Sequence, residues 1–186
     1  MARQMDLGRL VVVSGPSGVG KSTVVARALA LAPQAWLSVS VTTRPPRPGE
    51  VDGQHYRFVD DQTFEAMVHR SDFLEWAEFA GRRYGTPKAA VDQQRRLGRP
   101  VILEIEVAGA RQVRQADASA FLVFIAPPSL TVLRERLDSR GTESSEAVER
   151  RLAIAQQELS AQGEFDEVIV NTDVEQAARA LVASLS

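Results

Sequence analysis

Gly15-Pro16-Ser17-Gly18-Val19-Gly20-Lys21-Ser22 decides how the chain is read, because it fits the pattern G-x-x-x-x-G-K-[ST] in the context that gives the pattern a mechanism. The apolar run Leu10-Val11-Val12-Val13 precedes it and reads as a buried strand, and Thr23-Val24-Val25-Ala26-Arg27-Ala28-Leu29-Ala30 follows it and reads as a helix. A strand that turns into a helix through three glycines gathers backbone N–H groups into one concavity at the positive end of the helix dipole, where phosphate oxygens bind. Residues 15–23, ending at Thr23, are therefore expected to cradle the phosphates of a nucleoside triphosphate. Lys21 is expected to reach the β- and γ-phosphates and Ser22 to ligate Mg²⁺. A glycine turn followed by Lys-Ser by chance would leave the flanking strand and helix unexplained.

Outward from this loop, 186 residues suit one core carrying inserted parts. With 22 Lys and Arg against 24 Asp and Glu, the formal charge of −2 argues against a generic nucleic-acid binder, so any phosphate chemistry rests on clustered arginines. The absence of cysteine removes disulfides and thiolate catalysis, and two histidines are too few for a histidine metal site. No signal-peptide pattern or run of 18 apolar residues is present, which makes a cytoplasmic protein without a membrane partner the expectation. Sequence leaves monomer or homo-oligomer undetermined.

Strand-like and helix-like segments alternate along the rest of the chain. Residues 36–43 are β-rich, 44–50 form a proline-broken loop, and 56–59 read as a short strand. Asp60 or Asp61 caps a helix of about nine residues running to Arg70. Residues 73–79 and 82–85 read as strands joined at Gly81. A helix is expected to begin at Thr86-Pro87, with a capping hydroxyl and a first-turn proline, and to end near Gly98. Strand 101–105, helix 108–115 and strand 121–126 restore the core alternation. Residues 129–162 read as a charged helical arm broken at Gly141-Thr142. Strand 167–170 then leads to Thr172-Asp173-Val174-Glu175, read as a capping box for the last helix. The expectation is an α/β protein with a three-layer core, its parallel sheet covered on both faces. The divisions expected are a core of 1–38, 87–128 and 161–186, a β-rich insertion at 39–86, and a helical lid at 129–160.

Three constellations carry chemistry. The insertion holds Ser40, Arg44, Arg47, Tyr56, Glu75, Tyr84 and Thr86. Two arginines three apart on a rigid loop suit a second phosphate, since guanidinium forks bind its oxygens bidentately; the alternative is a solvated basic loop. Glu75 lies between Leu74 and Trp76. It is either a strand-face carboxylate or an acceptor for the adjacent N1–H and N2–H donors of guanine, with Ser40 and Thr86 available to donate to O6. Glu104 and Glu106 end an apolar strand where ligands of open α/β sheets bind; they are either a charged strand terminus, or one suits Mg²⁺ through water and the other the acceptor base. Arg136, Arg140 and Arg151 either pair with the acids of the helical arm or converge to neutralise a phosphoryl group in flight.

These residues resemble the guanylate kinase family over essentially the whole chain. The match runs through residues 14–22, 40–53 and 73–77, then Tyr84-Gly85-Thr86, Phe124 to Ser129, Arg136-Leu137 and Arg140 to Glu143. Arg151-Leu152 and Val168 to Asn171 extend it to the C-terminal core. The resemblance implies a P-loop core, a GMP-binding insertion and a mobile lid, with Mg²⁺ and ATP acting on GMP, and on dGMP as well, in purine metabolism. It assigns Ser40, Glu75 and Thr86 to guanine and Arg44, Arg47, Tyr56 and Tyr84 to the GMP phosphate. Lys21, Arg44, Arg136, Arg140 and Arg151 are the implied catalytic set, Arg151 also facing GMP, and Asn171 falls beside adenine. Two departures stand out: Glu106 replaces the family's usual Asp, and Val107-Ala108 replaces a pattern with Gln before Gly109. The competing functions are an inactive interaction module of the same fold and a kinase for another monophosphate.

Overall fold

The computed structural model describes residues 7–79, 81–138 and 145–186. Along the chain, β1 (Leu10–Ser14) leads into α1 (Lys21–Leu31), followed by β2 (Trp36–Leu37), β3 (Val41–Thr42) and β4 (Arg57–Phe58). Next come α2 (Asp61–His69), β5 (Phe73–Phe79), β6 (Arg82–Pro87), α3 (Lys88–Arg96), β7 (Val101–Glu104) and α4 (Val107–Ala116). The chain continues through β8 (Phe121–Ala126), α5 (Leu130–Asp138), α6 (Ser145–Ser160), a short 3-10 turn, β9 (Glu167–Val170) and α7 (Val174–Ala183).

Five strands form a parallel sheet in the order β2-β7-β1-β8-β9. Strand β1 is central, with Val12 paired to Leu103 on one side and Leu122 on the other. It is buried at every position, as a strand covered on both faces must be. Alternate residues divide between two cores: Val11 and Val13 pack with α1 and α7, while Leu10 and Val12 pack with α3 and α4. The result is the three-layer arrangement. It brings the carboxyl ends of β1 and β7 together, so that Ser14 runs into the glycine loop beside Glu104.

A second sheet has the order β4-β3-β6-β5, with β3 and β4 parallel and β6 antiparallel to both β3 and β5. Helix α2 covers it through Phe64 and Met67, packed with Val41 and Phe73. Asp60 caps α2 by accepting from the Thr63 N–H at 2.7 Å, and the helix is nine residues long, as expected. Glycine at 81 sits at φ 70°, the left-handed conformation the tight β5–β6 turn requires.

Three details depart from the sequence reading. The β-rich stretch 36–43 is split, because Trp36–Leu37 pair with β7 while Val41–Thr42 join the second sheet. Pro87 ends β6 and stands at the cap of α3, which begins at Lys88; the Thr86 hydroxyl points to Glu75 rather than capping the helix. The last helix is capped by Asp173, which accepts from the Gln176 N–H at 2.9 Å, while Glu175 pairs with Arg27 at 2.6 Å and ties α7 to α1. The break expected at Gly141-Thr142 lies outside the described residues.

Candidate active site

The glycine loop is shaped by close approach. Gly15, at φ 139°, has its Cα so near the next strand that a Cβ would stand 2.2 Å from the Ile125 carbonyl oxygen. Gly20, at φ 93°, caps α1 with no side chain to occupy the first-turn N–H groups, which leaves them for an anion. Lys21 Nζ donates to the carbonyls of Gly15 and Pro16, holding the ammonium over the loop. Ser22 Oγ donates to Glu104 Oε1 at 2.6 Å, so the two expected metal-side oxygens are neighbours. Thr23 is exposed on the first turn of α1.

The helical arm is joined to this loop. From α5, Arg136 donates to the Val19 carbonyl at 3.1 Å and to the Asn171 carbonyl at 2.9 Å. Asn171 is buried and donates to the same Val19 carbonyl at 2.8 Å, while its Oδ1 has no hydrogen-bond partner. From α6, Arg151 donates to Ser17 Oγ at 2.8 Å. Two of the three expected lid arginines thus converge on one loop from separate helices. Arg140 lies outside the described residues.

Between the second sheet and the end of β7 lies a cavity of about 240 Å³. Ser40, Arg44, Arg47, Tyr56, Glu75 and Tyr84 line it from the second sheet and its loops, and Glu104, Glu106 and Gly109 from β7 to α4. The Arg44 guanidinium lies 5.4 Å from the Tyr56 ring centroid and 5.8 Å from that of Phe58, and Tyr56 and Tyr84 meet edge to face. Burial raises the Tyr56 pKa, so its hydroxyl remains a donor at neutral pH.

Glu75 is buried at 6% exposure, which fits a base reader better than a solvated strand face. Burial pushes its pKa up, and the hydrogen bond from Thr86 Oγ1 at 2.6 Å opposes that shift. The two residues sit directly opposite in the β5–β6 ladder, which is why they meet. Thr86 is fully buried behind the carboxylate and is not among the residues lining the cavity. Its hydroxyl donates to Glu75.

Two acids were missed in the sequence. Glu50 pairs with Arg44 at 2.7 Å and also accepts from the Arg47 backbone N–H at 2.7 Å. That bond to Arg44, with the Arg47 N–H second, holds the Glu50 carboxyl down at about 2. The signal was an acid at the end of the arginine-bearing proline loop. Glu158, on α6, has its carboxyl raised to about 7, first by burial and then by the facing Glu106, with Lys21 and the Ser17 N–H pulling the other way. It lies seven residues after Arg151, two turns along one helix face, which is the pattern that could have found it.

A phosphate-binding loop, a separate cavity with arginines, tyrosines and a buried carboxylate, and two arginines arriving from a helical arm make a two-substrate cleft. Comparison with known proteins agrees. The family model described as "Guanylate kinase" matches residues 7–186. A "Guanylate kinase" from Streptomyces kasugaensis is 58% identical over 175 residues, covering 94% of this chain and 85% of the relative. One from Thermobifida fusca is 56% identical over 178 residues, covering 96% and 91%. Among solved structures, guanylate kinase from Anaplasma phagocytophilum superposes with a TM-score of 0.80 at 32% identity, covering 97% of this chain and 85% of that one.

Proposed function

The chain belongs to the guanylate kinase family, and on that premise we propose how its cleft carries out ATP:GMP phosphotransfer. The γ-phosphoryl of ATP passes in line to a phosphate oxygen of GMP: the new bond is from that oxygen to γ-phosphorus, the bond to the β,γ-bridging oxygen breaks, and ADP and GDP leave. The acceptor is already anionic, so no side chain has to remove a proton from it. The obstacle is repulsion between two polyanions, and oriented positive groups are what lower it.

The observation that carries this reading is one cavity, beside the phosphate loop, that is lined both by Arg44 and Arg47 and by the buried carboxylate of Glu75. The arginines and the two tyrosines suit the acceptor phosphate. An ionised carboxylate only accepts hydrogen bonds, so Glu75 favours guanine, with donors at N1 and N2, over adenine, whose N1 is an acceptor. Lys21 and the loop amides hold the ATP phosphates, and Arg136 and Arg151 bring cationic charge from 129–160, which acts as the lid over the cleft. Residues 39–86 act as the acceptor-binding insertion. Covering the cleft excludes the water that would otherwise accept the phosphoryl group.

The residues present fit a divalent ion of the Mg²⁺ type. Ser22 Oγ and Glu104 Oε1 are hard oxygen donors held 2.6 Å apart, and among the described residues no three His, Cys, Asp or Glu gather into a cage. When bound, Mg²⁺ would neutralise charge on the triphosphate; Ser22 would hold it directly and Glu104 through water. Among the described residues no helix is long and apolar enough to cross a membrane.

The test is product analysis: chromatography of a reaction containing the protein, Mg²⁺, ATP and GMP. Equimolar GDP and ADP are expected. Hydrolysis of ATP without GDP formation, or no reaction, would overturn the assignment.

A further inference from the structure

The sheet that carries Glu75 ends at β5, an edge strand whose outer backbone groups have, among the described residues, no fifth strand to pair with. At Trp76 both groups are taken by one side chain from the core. Gln112 Oε1 accepts from the Trp76 N–H at 3.3 Å, and Gln112 Nε2 donates to the Trp76 carbonyl at 2.9 Å. A primary amide offers the same donor and acceptor as a peptide group, so Gln112 stands in for the missing strand. It lies three residues after Gly109 on α4, on the same helix face. There the bare backbone of Gly109 lies against Glu75: a Cβ would come within 2.6 Å of Oε2. Helix α4 and strand β5 therefore meet along a seam where, besides the packing of Leu74 against the core cluster of Ala110 and Val113, there are two polar points, one at the Glu75 carboxylate and the other at the backbone of the next residue.

We propose that Gln112 is a positioning residue for acceptor selection, fixing β5 against α4 so that the Glu75 carboxylate is held at the distance guanine requires. The inference rests on the reading of Glu75 as the residue that recognises guanine. Thr86 orients one carboxylate oxygen across the ladder, but it travels with the same sheet and cannot set where that sheet stands relative to the core. Gln112 belongs to the core layer and can. Two parallel hydrogen bonds to N1–H and N2–H demand a well-fixed carboxylate, since such bonds weaken within a few tenths of an ångström and at poor angles. A base with a single donor tolerates more displacement. Loosening the seam therefore costs GMP more than IMP, which lacks the N2 donor.

The test compares kcat/KM for GMP and IMP in the wild type, Gln112→Leu and Gln112→Glu, at saturating Mg·ATP. Gln112→Leu removes both bonds at similar volume, and Gln112→Glu keeps the acceptor while losing the donor. The GMP-over-IMP preference is expected to fall about tenfold in Gln112→Leu, roughly the loss of one good hydrogen bond. The fall should come through KM for GMP, with kcat within about twofold, and Gln112→Glu, which sets a carboxylate oxygen against the Trp76 carbonyl, should lower the preference at least as much. An unchanged preference in folded Gln112→Leu overturns the inference and leaves the guanine reading standing. Should near-ultraviolet circular dichroism show that Gln112→Leu does not fold, Gln112→Glu decides, and a wild-type preference there overturns the inference. A wild type that does not prefer GMP over IMP overturns both.

Discussion

Replacing Gly109 by alanine adds a single methyl group at the point where α4 touches the Glu75 carboxylate, the group proposed above to read guanine. The new Cβ would stand 2.6 Å from Glu75 Oε2 and 3.2 Å from its Cδ, where ordinary contact begins at 3.4 Å. Glu75 has little room to give, because it is buried, its other oxygen is held by Thr86, and the next residue is held by Gln112. Overpacking of this kind costs about 1–3 kcal/mol. Alanine also removes the helix penalty of a glycine inside α4, a gain of about 1 kcal/mol. Net stability should therefore fall by only about 0–2 kcal/mol. Acceptor use should suffer far more, because the carboxylate must rotate away from its alignment and hydrogen bonds to charged groups contribute about 1.5–3 kcal/mol. Coupled ADP-release kinetics should show kcat/KM for GMP lowered by about 10- to 100-fold in Gly109→Ala, with a smaller loss for IMP. Urea unfolding of the same protein supplies the stability. A folded variant that keeps its GMP kinetics within about twofold would refute the placement of Glu75 at the base.

Removing the ammonium in Lys21→Met should lower turnover by at least about 100-fold while leaving the fold intact, as loss of one preorganised donor does elsewhere; wild-type turnover would count against its role. Thr86→Val leaves Glu75 Oε1 without its donor in a buried site and should cost about 1–3 kcal/mol in urea unfolding, restored by Thr86→Ser; equal stability of all three proteins would mean the bond contributes nothing. Glu158 gives a pH signature. Its folded pKa, about 7, lies above its ordinary 4.5, so the stability it contributes is present in full below about 4.5 and is lost as pH rises through 7. Glu158→Gln should therefore match the wild type in Tm near pH 4 and exceed it at pH 8. A difference that stays constant with pH would contradict the burial of this carboxyl against Glu106.

Much of this architecture is legible in the chain itself. The Val-rich β1 and the glycine loop fix the core because their backbone demands are local, and Asp60 fixes the start of α2 for the same reason. What escapes is whatever depends on partners distant in sequence. Thr86 has the chemistry of a helix cap, but the β5–β6 register places Glu75 opposite it, and a buried carboxylate outcompetes a helix end that water can satisfy. Thr172 and Glu175 fit a capping box, yet Glu175 is drawn to Arg27 on a helix 148 residues away in sequence. Glu158 looks like one acid among many until the fold brings it against Glu106. Gln112 gives no sign at all, because its role depends on the edge of a sheet formed by another part of the chain.

The most direct test of the two-substrate cleft is a panel of acceptors, GMP, dGMP, IMP and AMP, measured by coupled ADP release at saturating Mg·ATP. A carboxylate that reads both N1–H and N2–H predicts GMP well above IMP and IMP above AMP, with dGMP accepted because its base is the same. Equal use of AMP and GMP would contradict the account at its centre.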